Sequence, residues 1–364
     1  MQDHGLDEIA RKFVVAPDVA PLAVVAVAHR AEGGFQTLTG AASAPCLPPA
    51  SIDTYFDLAS VSKPFLASTV ARLARRGRLS LDTALSALLV EARGSETGAQ
   101  TLEHLLAHRA GLEAHRTLFT PLLNQAPFER RAAILEAIHA RRPECRAPAP
   151  LAGYPPLYSD LGYALVGLAL ERLERSPLDQ LVEREVCAPL GLDVGSARLL
   201  RARHGDFFAR CAPTENVAFR GGLLRGVVHD ENAWALSGHA LSGHAGLFGT
   251  AESVARFGAA LLDAFHGRSQ AWLRQLDLDP LVRERPDGTL RAGFDGKSEQ
   301  GSSAGSLAGQ RSFGHLGFTG TSLWCDPDAD RALVLLANRV CPTRLNTRIR
   351  AARPAVHDAL FGSV

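Results

Sequence analysis

Residues 56–65 read FDLASVSKPF, and within them Ser60-Val61-Ser62-Lys63 sets a hydroxyl and an amine three residues apart. A serine hydroxyl is a poor nucleophile at neutral pH and needs a base within hydrogen-bond reach. On a helix, residues i and i+3 share a face, so Lys63 stands one turn along from Ser60. A lysine serves as that base when burial and neighbours keep its pKa low, or it passes the proton through a third group. Arginine does not give up its proton in proteins. This matters here because Lys12, Lys63 and Lys297 are the only lysines among 39 basic residues. Taken alone, the pair also fits a helix N-cap serine followed by a solvated lysine, so the rest of the chain has to decide.

Two further motifs follow in order, Pro155-Pro-Leu-Tyr158-Ser159-Asp160-Leu-Gly-Tyr and Gly314-His315-Leu316-Gly317-Phe318-Thr319-Gly320-Thr321. Two satellites accompany them, Leu105-Leu-Ala-His108-Arg-Ala-Gly111-Leu and Gly243-His244-Ala-Gly246-Leu-Phe. Together these five signals resemble the motifs of the serine β-lactamase and penicillin-binding-protein superfamily, in its class C β-lactamase-like branch. That branch also holds D-alanyl-D-alanine carboxypeptidases, D-aminopeptidases and esterases. The resemblance implies that Ser60 attacks a carbonyl and becomes acylated. It implies that Lys63 and Tyr158 share the proton work, Tyr158 as phenolate or relay and Lys63 as its electrostatic partner. It puts the oxyanion between the backbone N–H groups of Ser60 and Phe318, where such donors typically contribute ~3 kcal/mol each. Asp160, His315 and Gly317 would then contact substrate.

Two departures from the branch bear on specificity. Many β-lactamases carry lysine where this chain has His315, and a largely neutral imidazole holds a penicillin carboxylate less well than a permanent cation does. In the second motif Asp160 stands in place of asparagine, which loses an amide donor and adds a negative charge. Paired with Lys63, that charge keeps the lysine protonated and makes Tyr158 the better candidate for general base.

The elements that must position these groups follow from patterning. Leu22–Ala28 and Phe35–Gly40, separated by a glycine-containing loop, read as a hairpin. Phe65, Leu66, Val70 and Leu73 recur at helical spacing up to Gly77, and Pro64 is tolerated only in or next to the first turn, so that helix begins near Ser60. Residues 80–235 read as helical segments broken by loops, with 127–141 and 162–175 the clearest. A helix is expected over 247–266, strands over 322–326 and 331–338, and a last helix over 344–360. The Gly/Ser-rich stretch 295–310 reads as a flexible loop that borders the pocket. Strand pairs at both ends of the chain can join into one antiparallel sheet. The expected architecture is therefore a single α/β (α+β) catalytic domain over residues 1–364, the antiparallel sheet flanked by helices. Residues 1–79 and 236–364 form its α/β part, and 80–235 an inserted, mainly helical part.

Bulk properties narrow the function. Hydrophobic residues make 46% and charged residues 21% of the 364, and a net charge of +1 gives no field suited to nucleic acid. No stretch is long and apolar enough for a membrane span, and the charged start has no export signal, which reads as cytoplasmic, or periplasmic if a leader is missing. Six scattered cysteines lack any C-x-x-C pair and are expected to be reduced and mostly buried.

Other local patterns in the chain carry less weight. Gly301-Ser-Ser303-Ala-Gly305 fits a nucleophile elbow by pattern but lies in a loop-like stretch rather than between a buried strand and a helix. His104 with His108, and His239 with His244, lack the glutamate and third ligand of a metal site, and read as histidines bonding local backbone. GHLGFTGT lacks the Gly-Lys-Ser/Thr ending of a phosphate loop. A non-catalytic binding module would have lost Ser60, Lys63 or Tyr158. The expected protein is a serine hydrolase acting on a small ester or amide, or a short D-amino-acid peptide, without metal or organic cofactor. Weak β-lactamase or D-alanyl-D-alanine carboxypeptidase activity is the alternative.

Overall fold

The computed structural model describes residues 3–45, 49–145 and 149–364. Helix α1 (His4–Ala10) opens the chain, its first turn capped by the Asp3 carboxylate, which accepts from the Gly5 and Leu6 N–H groups. Strands β1 (Leu22–Ala31) and β2 (Gly34–Ser43) form the expected hairpin, longer at both ends than the sequence pattern shows. Strand β3 (Phe56–Asp57) leads through a 3-10 turn, Ala59–Val61, into helix α2 (Ser62–Arg75). Pro64 is the third residue of α2, where its missing N–H removes no intrahelical bond.

Between 80 and 235 most of the regular structure is helical, joined by long loops, and helix α3 (Asp160–Glu174) runs through its middle. The region also carries strands the sequence reading did not assign: β4 (Val194–Ser196), and the ladder of β5 (Pro213–Val217) with β6 (Gly222–Arg225). Strand β7 (Leu247–Gly249) lies between β3 and β4 in a small sheet and feeds helix α4 (Ala251–Phe265). The expected helix over 247–266 thus begins four residues later, because 247–249 are paired as strand. The C-terminal part adds β8 (Asp295–Gly296), β9 (Phe313–Leu316), β10 (Ser322–Asp326), β11 (Arg331–Ala337) and helix α5 (Ile349–Phe361), which starts five residues later than the sequence pattern indicated.

The six-stranded antiparallel sheet runs β2-β1-β11-β10-β9-β8, so the two ends of the chain meet at the β1–β11 seam. Both faces of that seam are covered. Val24, Ala26, Val334 and Leu336 point into the large core shared with α2 and α4. Val25, Val27, Leu333 and Leu335 point into a second core under α1 and α5. Double coverage explains why β1 and β11 are continuous apolar runs instead of alternating ones. Helix α4 approaches the sheet so closely that a Cβ on Gly258 would sit 2.6 Å from the Ala332 Cβ.

The stretch 295–310 is not the free loop that its composition indicated. Ala304 and Ala308 are buried against Trp324. The Asp358 carboxylate accepts from Ser306 Oγ at 2.9 Å and from the Leu307 N–H at 2.8 Å. Small residues here allow close packing onto α5 and β10. Cys145, Cys187, Cys211, Cys325 and Cys341 are unpaired and all but Cys341 are buried, while Cys46 lies outside the described residues. Among the described residues no helix is long and apolar enough to cross a membrane.

Candidate active site

Ser60 sits at the turn that starts α2, one residue after Ala59, whose φ of +47° is a left-handed conformation disfavoured for a residue with a Cβ. Four contacts hold that turn. The buried Asp57 carboxylate accepts from the Ala59 N–H at 2.8 Å and, through its other oxygen, from the His229 N–H at 2.6 Å. Thr319 Oγ1 donates to the Asp57 carbonyl at 2.7 Å, and Thr321 Oγ1 to the Leu58 carbonyl at 2.9 Å. The third motif is thereby stitched directly to the turn carrying the serine.

Lys63 is fully buried, which removes the reading of a solvated lysine after an N-cap serine. Its Nζ lies 2.8 Å from Ser60 Oγ, 2.7 Å from Asp160 Oδ1 and 3.3 Å from the His244 carbonyl oxygen, so all three ammonium protons have acceptors. Burial pushes the Lys63 pKa down, but the Asp160 charge, and after it the interaction with the Tyr158 side chain, outweigh it and hold it above the ordinary lysine value. The Tyr158 phenol, which hydrogen-bonds with Lys63 and Ser60, is pushed up by burial. The Lys63 charge opposes that rise, and Asp160 adds to it. The resting pair is therefore an ammonium beside a neutral phenol.

Two histidines flank Tyr158. His108 stacks on its ring at 4.6 Å and accepts the Ser159 N–H at Nδ1, 2.9 Å away. Burial, then the Lys63 charge, keep His108 well below the usual imidazole pKa, so it is a neutral acceptor. His108 reaches this position through a left-handed φ of +59°, and its side chain is what the 105–112 satellite motif supplies. His315 lies 6.0 Å from Tyr158, ring to ring. Burial and then Lys63 lower its pKa to about 3, so it is neutral as the third-motif comparison implied.

A cavity of about 850 Å³ opens over these groups, lined by Ser60, Tyr158, Asp160, Gly317, Phe318 and Arg350 among others. Of the residues expected to contact substrate, Asp160 and Gly317 line it and His315 does not. His315 is buried, and its Nδ1 is within 2.8 Å of the Leu316 carbonyl, because the β9 pleat turns it under Tyr158. Phe318 lies on the exposed rim, and among the described residues its N–H donates to no protein acceptor. Ser303 is not part of the cavity; its carbonyl is 2.6 Å from His357 Nδ1.

The paired histidines do not converge. His104 contacts Gln100 and the Leu151 carbonyl, whereas His108 faces Tyr158. His244 Nε2 lies 2.8 Å from Asp230 Oδ1, a carboxylate partner rather than the backbone the sequence reading expected. Sequence reasoning also missed Asp57, His229 and Asp230. Their signal was a lone acidic residue three before the nucleophile and an HD pair 14 residues ahead of His244, neither of which is a motif in itself.

The chain belongs to the beta-lactamase family, whose model matches residues 10–357. It is 26% identical over 320 residues to a putative D-alanyl-D-alanine carboxypeptidase of Salmonella agona (strain SL483), covering 80% of this chain and 70% of the relative. It is 28% identical over 310 residues to an N-acetylmuramyl-L-alanine amidase of Bacillus subtilis (strain 168), covering 79% and 68%. With several other Salmonella proteins described as putative D-alanyl-D-alanine carboxypeptidases the match spans only 45% of their length. Among solved structures, EstCE1, a hydrolase with promiscuous acyltransferase activity, superposes with a TM-score of 0.72 at 18% identity, covering 99% of both chains.

Proposed function

We propose that this protein is a serine hydrolase that forms an acyl-enzyme at Ser60 and cleaves a small ester or an amide, including amides of D-amino acids. The observation that carries this is the Ser60–Lys63–Asp160 chain, a buried lysine bridging a hydroxyl and a carboxylate on the wall of an open cavity. In this reading Ser60 Oγ bonds to the substrate carbonyl carbon while its proton passes to the phenolate oxygen of Tyr158. The oxyanion is met by the N–H groups of Ser60 and Phe318. The bond to the leaving alcohol or amine then breaks and Tyr158 returns the proton to it. Water repeats the sequence on the acyl group and frees Ser60.

The names of the Salmonella relatives favour a second reading, D-alanyl-D-alanine carboxypeptidase or weak β-lactamase activity at the same serine. Intact-mass and tandem mass spectrometry after exposure to a fluorophosphonate, and separately to a penicillin, distinguish the cases. A fluorophosphonate adduct mapped to Ser60, with no penicillin adduct, supports the esterase-type reading. A penicillin adduct at Ser60 supports the second. No adduct on folded protein from either reagent would leave a binding module in place of an enzyme.

The charge on Asp160 makes a pH prediction. Whichever of Tyr158 or Lys63 accepts the serine proton must first lose its own, and Asp160 raises both, so acylation should climb with pH on an alkaline-shifted limb. Asp160→Asn removes that contribution and should move the limb to lower pH in single-turnover acylation profiles. A limb that stays in place or moves up would rule out this role for Asp160.

A further inference from the structure

Two buried guanidinium groups stand behind the third motif. Arg353 of α5 is 8% exposed and Arg339, just after β11, is 7% exposed. Among the described residues neither forms an ion pair with a carboxylate within 4.0 Å, whereas Arg344 beside them pairs with Glu215 and Glu231. Burying a cation without a counter-ion is unfavourable, and two neighbouring cations add repulsion. Burial, then the charge of Arg339, lower the Arg353 pKa to about 10, which leaves it charged at neutral pH.

What they hold explains their placement. Arg353 Nη2 donates to the Gly317 carbonyl at 2.6 Å and to the Thr321 carbonyl at 3.0 Å. Arg339 Nε donates to the Phe318 carbonyl at 2.7 Å, and its guanidinium lies 4.2 Å from the Phe318 ring centre. The Gly317 carbonyl and the Phe318 N–H belong to one planar trans peptide, so they point in opposite directions. Gripping the carbonyl from the α5 side therefore aims the N–H away from α5. Withdrawing electron density through the carbonyl oxygen also strengthens that N–H as a donor. Position 317 must be glycine for this strap to lie flat, since a Cβ there would fall 1.9 Å from Thr321 Oγ1 and 2.5 Å from the Leu58 carbonyl.

We infer that Arg353, backed by Arg339, is a positioning residue that orients and polarises the Phe318 N–H as an oxyanion donor. The inference rests on the acyl-enzyme reading, in which that N–H faces the developing oxyanion. Arg339 and Arg353 also border the cavity, but the bonds on which the inference rests run to the Gly317, Thr321 and Phe318 carbonyls, so their signature lies in the transition state, through a backbone donor.

The test is kinetic, on Arg353→Met and Arg353→Lys, with active sites titrated by fluorophosphonate so that rates are per competent site. Arg353→Met should lose about 10- to 100-fold in kcat, a part of what removal of a whole oxyanion donor typically produces. KM should stay within about twofold of wild type, as for an interaction made in the transition state. Arg353→Lys keeps a charge and donors on one nitrogen, without the planar fork, and should recover part of the loss. A thionoester substrate, whose larger sulfur fits an oxyanion site poorly, adds a readout that a merely structural role does not move. The oxygen-ester to thionoester rate ratio should fall in Arg353→Met. An unchanged kcat and ratio per titrated site would overturn the inference, even if the variant melts earlier. Should Arg353→Met not fold, Arg353→Lys decides: wild-type kcat and ratio overturn the inference, intermediate values support it. Wild type that fails to label at Ser60 would instead be a failure of the acyl-enzyme reading.

Discussion

Ser60→Ala is expected to lower turnover of an activated ester by about 10⁴-fold or more, with the fold and melting temperature nearly unchanged. The size follows from the way these residues act as a unit. Without Oγ, Lys63 and Tyr158 have no hydroxyl to deprotonate, and only general polarisation by the two N–H groups is left to assist direct attack by water. Stability should hardly respond, because the hydroxyl is half-exposed on the cavity wall and its partners, Lys63 and the Tyr158 phenol, remain bonded to each other. Lys63 keeps Asp160 and the His244 carbonyl, so the substitution does not strand a buried charge. Steady-state turnover together with thermal denaturation checks both halves. Residual turnover above about 1% of wild type would place the nucleophile elsewhere.

The parts of this site that were legible in the sequence are those whose chemistry lies in short local patterns. Ser60 and Lys63 are joined by one helical turn, and Tyr158-Ser159-Asp160 by the start of α3. The sheet was legible for a related reason: β1 and β11 are long apolar runs whose pairing across the chain ends closes it. The supporting shell was not legible, because its contacts run through backbone groups between distant segments. Asp57 reaches the His229 N–H across 172 residues, and Arg353 grips the Gly317 carbonyl across 36. A carbonyl or N–H partner leaves no mark on residue type, so an arginine that orients a peptide looks like any arginine in an arginine-rich chain. The loop at 295–310 was misread for the same reason, since its small residues pack instead of solvating, and its anchor Asp358 is 51 residues from Leu307. His315 shows the converse limit. Its identity was informative about charge, but only the β9 pleat reveals that it lies under Tyr158.

Tyr158→Phe should reduce the acylation rate by about 10² to 10⁴-fold, the range for loss of a positioned general base. The argument turns on where the proton from Ser60 goes. Lys63 is its nearest amine, but with Asp160 at 2.7 Å the ammonium is already held charged and cannot take a further proton. Among the described residues the phenol is the remaining titratable group in hydrogen-bond contact with both Ser60 and Lys63. Its burial makes the phenolate a minor species, and the adjacent ammonium is the feature that makes it accessible at all, since the Lys63 charge is the largest cause lowering the phenol's pKa. Phenylalanine retains the ring that stacks on His108 and lies 4.9 Å from the Lys63 ammonium, so the loss should appear in chemistry without loss of fold. Stopped-flow acylation across pH reads the outcome. The variant should lose the alkaline-rising limb along with the rate. Near-normal acylation with the limb intact would assign the proton transfer to Lys63, and Asp160→Asn would then be the variant in which that lysine is released to act.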